Sequence, residues 1–408
     1  VYVLLDFHPY VGNPVHVRML KDIAQGYEQV ARTLVLVSHE ITLPDELEHL
    51  AAHLRLALPT RSERHAIVTR VAREWASDRP GKPAQIDPEA LERLVDNLNG
   101  LSATDSERLA RHAIFDDGAL TMSDIPAVLA AKYRLLNRDG TLYYEPDTAK
   151  FVDIGGMANL RRWITSRLPA FDGTAPGLDP PKGVLLLGVQ GCGKSLAARA
   201  AAGIFGVPLL RLDFGTLYSK WHGESEKNLR ESLAAAEALA PCVLWVDEIE
   251  KSLATDSGDS GVSRRVLGTF LTWLAERRSR IFVVATANDI SALPPELVRK
   301  GRFDEIFFVD LPNRAARVDI LAIHARKRNV KLTPRELETL ADLSEGFSGA
   351  ELEQVIVATL YAAHAAGTPV SAALIAQEMR ATRPLSVTMA EQVRALRAWA
   401  RERAVPAD

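Results

Sequence analysis

The sequence predicts an α/β protein with a doubly wound parallel sheet, followed by a smaller α-helical domain. Short β-rich runs (GVLLLG, CVLWVD, IFVVATA and EIFFVDLP) alternate with long helical patterns in the middle of the chain. From about Asn313 onward the pattern is helical only. With 408 residues, of which 47% are hydrophobic, the chain is long enough for two or three domains with sizeable cores.

The composition narrows the class of protein. A formal net charge of −3 gives no basic excess, so it offers no support for RNA or DNA as a partner. The two cysteines, Cys192 and Cys242, are too few for a disulfide framework and fit a reducing cytoplasm. No apolar run is long enough to cross a bilayer, so we expect no membrane partner. Because Val1 lies inside a strand-like run, we also expect native residues before it.

The two halves of the chain contain similar strings in the same order. The strings of the second half are CVLWVDEIEK, VVATANDISALPPELV, FFVDLPNRAAR and LADLSEGFSGAELEQVIVATL; those of the first are VYVLLDFHPY, LVLVSHEITLPDEL, LRLALPTRSER and LVDNLNGLSATDSERLARHAI. The alternative is that any two α/β segments share apolar strands, but paired strings such as LPTRSER and LPNRAAR favour duplication. Asp6 then falls at the position of Asp247, whereas Phe7 replaces Glu248. We expect this degenerate copy to be structural or regulatory.

The string GVQGCGKS fits the pattern G-x-x-x-x-G-K-[ST] and lies between a predicted strand and a predicted helix. Its glycines let backbone N–H groups converge on a phosphate, Lys194 adds a positive charge, and Ser195 offers a hydroxyl to Mg²⁺. A tight glycine turn without a ligand is the alternative. The predicted ATP-binding residues of this loop are Gly188, Val189, Gln190, Gly191, Cys192, Gly193, Lys194, Ser195 and Leu196.

An apolar strand in VLWVDEIE ends in two acidic residues. Asp247 is suited to bind Mg²⁺ through water, and Glu248 to orient and polarise a water molecule for attack on the γ-phosphate. Acids after a strand are a weak signal alone, because strand ends often meet solvent. Downstream of a phosphate loop they predict ATP hydrolysis.

From Phe151 onward the chain resembles the AAA family proper within the AAA+ ATPases, which are ring-forming remodelling and unfolding machines. The string FVDIGGMANL is similar to the family's entry segment, ATAND to its sensor segment, LVRKGRFDE to its arginine-finger segment, and ILAIHARK and GFSGAEL to two lid segments. The resemblance implies ATP and Mg²⁺ as ligands and a homo-hexamer.

The resemblance also implies roles for individual residues. The implied roles are adenine contact for Asp153, Ile154 and Gly155, the γ-phosphate or water sensor for Asn288, arginine fingers for Arg299 and Arg302, and nucleotide contact for His324, Gly349 and Ala350. Each has an alternative: Asn288 could cap a strand, Arg302 could pair with Asp304, and His324 could be structural.

A finer resemblance covers the whole chain and includes LLDFHPY, SRRVLGTFLTWL and RPLSVTMAEQVRALRAWA. It is to an uncharacterised AAA family of plastid genomes, cyanobacteria and other bacteria, which implies a cytoplasmic location or, in an alga, the plastid stroma. VQGCG departs from the proline pair and threonine of most relatives. The predicted domains are a degenerate AAA-like domain at 1–137, a linker at 138–150, a large α/β ATPase domain at 151–313, a helical lid at 314–385 and a C-terminal helix at 386–408.

The string YSKWHGESEKNLRE places a tryptophan in a polar segment, where AAA rings have a loop that faces the central channel. Lys220, Trp221 and His222 are therefore candidates for gripping an extended polypeptide, because an aromatic ring stacks with little sequence preference. The alternative is core packing, since Leu217, Tyr218 and Trp221 lie at helical spacing. The function we expect is ATP-driven remodelling of an unknown protein client through a ring channel. The alternative is a nucleotide-dependent switch or scaffold around a protein or RNA partner.

Overall fold

The computed structural model describes residues 1–38, 41–54, 56–79, 83–136, 142–145, 154–214, 225–250, 260–290, 293–299 and 301–408. Within them the chain divides into two compact units, residues 1–58 and 59–408. The predicted α/β class is confirmed in the second unit, where a parallel sheet is covered by helices on both faces.

The first unit is a small α/β structure. Its elements are β1 (Tyr2–Leu5), a 3-10 turn (His8–Tyr10), α1 (Pro14–Gln25), a 3-10 turn (Gly26–Glu28), β2 (Leu34–Val37) and α2 (Asp45–Glu48). Strands β1 and β2 pair in parallel, with Leu5 opposite Val37. The side chain of Asn13 accepts the N–H of Val15 and so caps α1. A parallel pair joined through a helix is the minimal βαβ arrangement.

The second unit opens with a helical bundle, here called the N-terminal bundle. It contains α3 (Arg61–Ser77), β3 (Gln85–Ile86), α4 (Pro88–Asn97), α5 (Ala103–Phe115), β4 (Ala119–Leu120) and α6 (Ile125–Leu136). The bundle has a core of its own, which includes Val68, Leu94, Leu98 and Ile114. Thr60 and Glu63 form a reciprocal capping box at the start of α3.

A seven-stranded sheet forms the centre of the second unit. Its strands are β5 (Leu142–Glu145), β6 (Gly183–Gly188), β7 (Leu209–Leu212), β8 (Cys242–Val246), β9 (Ile281–Ala287), β10 (Glu305–Val309) and β11 (Val405–Pro406). The spatial order is β11-β10-β6-β9-β8-β7-β5. All neighbouring pairs are parallel except β5 with β7.

Helices cover both faces of this sheet. They are α7 (Ala158–Thr165), α8 (Leu168–Asp172), α9 (Lys194–Phe205), α10 (Ser225–Ala238) and α11 (Ser260–Glu276). Alternate residues of β6 enter different cores: Val184 and Leu186 pack with α9, whereas Leu185 and Leu187 pack with α10 and α11. Strands buried on both faces explain why β6, β8 and β9 read as continuous apolar runs.

The second bundle, here called the lid bundle, follows β10. It contains α12 (Arg314–Lys327), α13 (Pro334–Leu343), α14 (Gly349–Ala366) and α15 (Ala372–Ala381), and is followed by α16 (Leu385–Thr388) and α17 (Ala390–Arg403). Leu321, Leu340, Leu352 and Ile356 lie at the centre of its core.

The structure departs from the predicted boundaries at three places. The region predicted as one domain, 1–137, falls into two compact units, and its helical part lies with the sheet. The predicted linker contains β5, whose Leu142 is 1% exposed, so this segment belongs to the sheet. The predicted C-terminal helix is followed by β11, which pairs with β10 through Phe307 opposite Val405.

Each of the two bundles contains a buried arginine that makes the same kind of contact within its own bundle. Arg64 on α3 is buried and donates to the carbonyl oxygens of Val95 (3.0 Å) and Pro59 (2.7 Å). Arg317, near the start of α12, is buried as well and donates to the carbonyl oxygens of Ala341 and Pro312, both at 3.0 Å. In each bundle one guanidinium thus ties the first helix to the second and to the proline five residues upstream.

The N-terminal bundle contacts the end of α10 through a buried lysine. Lys132 on α6 is 1% exposed, and its Nζ donates to the carbonyl oxygen of Ala238 at 2.6 Å. Gly100 lies against the same residue, where a Cβ would come within 2.7 Å of Ala238 atoms. Burial lowers the pKa of Lys132 from 10.5 to about 7. The ammonium satisfies a terminal carbonyl of α10, at the negative end of the helix dipole.

Stability should therefore depend on pH through Lys132. The folded pKa lies below that of the unfolded chain, so the unfolded state binds more protons between pH 7 and 10.5, and stability rises with pH in that window by up to about 1.4 kcal/mol per unit. We expect Lys132→Met to reduce this slope in urea unfolding between pH 7 and 8.5. Lys331→Met, at an exposed position, is the matched control. An unchanged slope in Lys132→Met would contradict the assignment.

Candidate functional site

The predicted phosphate loop, the acids after β8 and the lid bundle meet around one cavity of about 250 Å³. The cavity is lined by Ile154, Gly155, Gln190, Gly191, Cys192, Gly193, Lys194, Ser195, Leu196, Asp247, Glu248, Thr286, Asn288, Ile320, Ile323, His324, Gly349, Ala350 and Glu353. Most of the site residues predicted from the sequence thus lie together around this cavity. The predicted loop residues Gly188 and Val189 lie just before the lining part of the loop.

The phosphate loop connects β6 to α9 through two glycines in the left-handed region. Gly191 has φ +75° and Gly193, the N-cap residue of α9, has φ +91°. A side chain at either position would be strained, and a Cβ at Gly191 would also come within 3.1 Å of Ala350. The loop therefore turns sharply and presents the N-terminus of a twelve-residue helix to the cavity, which favours a bound anion.

Lys194 is held inside the loop. Its Nζ donates to the carbonyl oxygens of Gly188 (2.9 Å) and Val189 (2.8 Å), and the residue is buried. Burial lowers the pKa of the ammonium from 10.5 to about 8. These two carbonyls satisfy the buried ammonium group.

Cys192 lies in the same loop, and its Sγ is 3.8 Å from the carbonyl oxygen of Gln190. Burial raises the pKa of this thiol to about 12, so it stays protonated and is a poor nucleophile near neutral pH.

The two acids after β8 are held by the end of β9. The N–H of Glu248 donates to Oγ1 of Thr286 at 2.9 Å, and Oγ1 donates in turn to Oδ1 of Asp247 at 2.7 Å. The amide of Asn288 donates to Oε1 of Glu248 at 2.9 Å. This orientation of the amide is required, because an ionised carboxylate only accepts hydrogen bonds.

A third acid, Glu250, binds the backbone of Asn288. Glu250 is buried, and its Oε1 accepts the backbone N–H of Asn288 at 2.8 Å. Burial raises the pKa of Glu250. Sequence reasoning missed both Glu250 and Thr286. Their signal is their distance in sequence from the predicted residues. Thr286 in β9 lies two residues before Asn288, which follows the strand, and Glu250 lies two residues after Glu248.

The lid bundle closes the cavity from the opposite side. The N–H of Ala350, in the first turn of α14, donates to the carbonyl oxygen of Gly191 at 3.0 Å, so lid and phosphate loop touch directly. His324 is mostly buried, and burial lowers its pKa, which favours the neutral imidazole. Its Nδ1 lies 3.4 Å from Oε1 of Glu353, which also accepts from Arg328 at 2.6 Å.

The lid residues missed in the sequence share helical spacings with residues that were predicted. Ile320 precedes His324 by four positions on α12, and Glu353 follows Gly349 by four on α14. Ile323 follows Ile320 by three and so lies on the same face of α12.

The candidate arginine fingers lie outside the cavity lining. Arg299 is exposed. Arg302 is half-buried, and its guanidinium donates to the carbonyl oxygen of Leu271 on α11 of the same chain. Four further candidates, Asp153, Lys220, Trp221 and His222, lie outside the described residues.

The oxygens at the cavity suit a hard cation. Ser195 and Asp247 both line it, and hydroxyl and carboxylate oxygens are ligands that Mg²⁺ accepts. Among the described residues no group of three or more His, Cys, Asp or Glu side chains could hold a metal ion. Within the same part of the chain, no helix is long and apolar enough to span a bilayer.

Profiles of known families match three segments of the chain. The profile described as ATPase family associated with various cellular activities (AAA) matches residues 184–311. Two further profiles are described as SpoVK-like AAA ATPase: the second domain matches residues 62–139, and the N-terminal domain matches residues 1–56. The boundary between these two matches agrees with the boundary between the compact units.

Individual relatives extend this result. An uncharacterised AAA domain-containing protein ycf46 of Pyropia yezoensis is 35% identical over 405 residues, covering 98% of this chain and 81% of that protein. A proteasome-activating nucleotidase of Aeropyrum pernix is 41% identical over 202 residues, covering 48% of this chain and 49% of that protein. A crystal structure of the FIGL-1 AAA domain covers 67% of this chain and 95% of its own, with a TM-score of 0.57 and 24% identity, and so supports the fold. Because the likeness to the algal protein spans nearly the whole chain and the AAA profile covers the phosphate loop and both acids, this chain belongs to the AAA ATPases, in the family of AAA domain-containing proteins named ycf46.

Proposed function

We propose that this protein is a Mg²⁺-dependent ATPase that assembles as a homo-hexameric ring and remodels a protein client through the ring channel. The observation that carries the enzymatic part is the cavity in which the phosphate loop faces Glu248 and Asn288. A loop alone would support nucleotide binding. The acid and the amide next to it support hydrolysis.

ATP binds at the phosphate loop. Lys194, which lies against the carbonyl oxygens of Gly188 and Val189, places its ammonium group beside the β- and γ-phosphate oxygens. Burial disfavours the charged form of Lys194, whereas the negative charge of the phosphates favours it, so bound ATP stabilises the protonated lysine. Ile154, Gly155 and Leu196 offer an apolar wall for the base, and His324 and Ala350 approach from the lid.

Hydrolysis needs a water molecule in line with the γ-phosphorus. Glu248 accepts a proton from this water as its oxygen bonds to phosphorus and the bond to the β–γ bridging oxygen breaks. Asn288, which already binds Oε1 of Glu248, holds the carboxylate toward the phosphate side. Ser195 and, through water, Asp247 would hold Mg²⁺, which would supply positive charge to neutralise the phosphates. The products are ADP and phosphate.

Nucleotide binding at the phosphate loop affects the lid bundle through a direct contact. Gly191 of the phosphate loop accepts the N–H of Ala350, so phosphate binding and lid position are linked by one backbone hydrogen bond. In a ring, a moving lid would shift the neighbouring subunit. The relationship to a proteasome-activating nucleotidase supports a client that is a protein. A net charge of −3 gives no comparable support for RNA.

We also propose that residues 1–137 are a second, degenerate copy of the domain. The matching bonds of Arg64 and Arg317 support it, as does the parallel pairing of β1 with β2, which corresponds to that of β8 with β9. Phe7 stands where the active copy has Glu248. This copy would therefore serve as scaffold or regulator, in the cytoplasm or, in an alga, in the plastid stroma.

Replacing the acid should separate binding from hydrolysis. We expect Glu248→Gln to bind ATP but to lower kcat by about 100-fold or more, because the amide cannot take the proton. Lys194→Ala should instead weaken nucleotide binding, since the loop loses its charge. Phosphate release and an equilibrium titration with a fluorescent ATP analogue measure the two effects. Undiminished turnover in Glu248→Gln would overturn the assignment.

Arg299 should act on the site of the neighbouring subunit. We expect Arg299→Ala to keep ATP binding and to lose turnover by about 1,000-fold, the range for a missing arginine finger. Mixing it with Lys194→Ala subunits should recover some activity, because intact sites then form between unlike neighbours. Arg278→Ala, at another exposed position, is the control. Arg302→Ala should lose turnover too, with a lower melting temperature, because it breaks the bond to Leu271. No recovery on mixing would refute action across the interface.

Trp221→Ala should decide between threading and switching. A threading ring keeps its basal ATPase rate in this variant but loses unfolding of a tagged model protein, since the aromatic grip is gone. A nucleotide-dependent switch or scaffold is indifferent to the change. If the wild type does not unfold the model protein and Trp221→Ala keeps the wild-type ATPase rate, the alternative function is favoured.

A further inference from the structure

Thr286 contacts three successive residues of the acidic turn. It is the penultimate residue of β9 and is 1% exposed. Its Oγ1 donates to Oδ1 of Asp247 at 2.7 Å and accepts the N–H of Glu248 at 2.9 Å. Its carbonyl oxygen accepts the N–H of Ile249 at 3.0 Å. One residue thereby binds the side chain of the first acid, the backbone of the second and the backbone beyond it.

The turn that Thr286 holds is strained. Glu248 has φ +46°, in the left-handed region, where the Cβ of a non-glycine residue is crowded by its own backbone. Such a conformation persists only when the surrounding structure fixes it. The hydrogen bonds from Glu248 and Ile249 to Thr286 supply that restraint on the backbone, and Asn288 restrains the carboxylate at the other end.

The hydroxyl of Thr286 has one proton, and both of its contacts fix its orientation. Its proton points to Asp247, so a lone pair is free to accept from the backbone of Glu248. The predicted metal-binding acid and the predicted catalytic acid therefore share a single hydroxyl. Rotating that hydroxyl would disturb both at once.

We propose that Thr286 is a positioning residue for ATP hydrolysis, which sets the carboxylate of Glu248 against the γ-phosphate and couples it to Asp247. The proposal rests on the proposed ATPase function. It differs from a packing role in one respect: a packing threonine would matter through its shape, whereas this one acts through its hydroxyl. Valine has the shape without the hydroxyl, and serine has the hydroxyl without the methyl group.

The test compares Thr286→Val with Thr286→Ser in the full chain under ring-forming conditions. We expect Thr286→Val to lower kcat by about 10- to 100-fold, because a small displacement of a catalytic group is costly, while ATP affinity stays within about threefold. Thr286→Ser should keep kcat within about fivefold of the wild type. Phosphate release gives kcat and KM, and a fluorescent ATP analogue gives affinity.

Thr359→Val is the matched control. Thr359 on α14 is also fully buried and has a hydroxyl that donates to a carbonyl oxygen, that of Val355 at 2.8 Å, away from the cavity lining. Its replacement removes a buried hydroxyl of the same kind and should leave kcat unchanged. If Thr286→Val does not fold, Thr286→Cys serves instead, since a thiol is a weak donor and acceptor, and its kcat should fall below that of Thr286→Ser.

The outcomes separate this inference from the ATPase assignment. If Glu248→Gln hydrolyses ATP at the wild-type rate, the proposed function fails. If Glu248→Gln is inactive but folded Thr286→Val keeps its kcat, the positioning role is wrong while the ATPase stands. A serine variant as slow as the valine variant also refutes the role, because the hydroxyl would then not be the active feature.

Discussion

The site depends on the order of three neighbouring strands, β6, β9 and β8. Parallel strands end at the same edge of a sheet, so the groups that follow them meet there. Leu187 of β6 lies opposite Ala287 of β9, and Val246 of β8 lies opposite Ala285. This register brings the phosphate loop, the two acids and Asn288 together although they are far apart in sequence. A slip of one residue would turn Thr286 and the acids to opposite faces.

The acidic turn shows how the sheet stabilises an unfavourable local conformation. A left-handed non-glycine residue costs on the order of 1–3 kcal/mol, and Glu248 adopts that conformation beside strands that are completely buried. The bonds to Thr286 restrain the turn from one side, and that between Asn288 and Glu250 supports the other. The core thus supplies rigidity where the proposed chemistry needs a fixed carboxylate.

Local patterns predicted the phosphate loop and the acids, because a few consecutive residues determine both. The lid residues His324, Gly349 and Ala350 were identified through resemblance, and the structure places them at the cavity. Thr286 was missed because its partners are set by the register between β8 and β9, two strands that a long helical segment separates in the sequence. β5 and β11 were missed because strands of four and two residues have no measurable periodicity. The intrachain bond of Arg302 to Leu271 has no sequence signal at all.

Both outer strands of the sheet come from outside the predicted ATPase and lid domains, 151–385. β5 completes one edge from residues 142–145, and β11 completes the other from residues 405–406. A fragment cut at 151 and 385 would leave β7 and β10 with unpaired backbone N–H and C=O groups along their outer sides. Open edges of this kind pair with other chains, so such a fragment would tend to aggregate during expression. The short flanking strands thus cover the edges of β7 and β10.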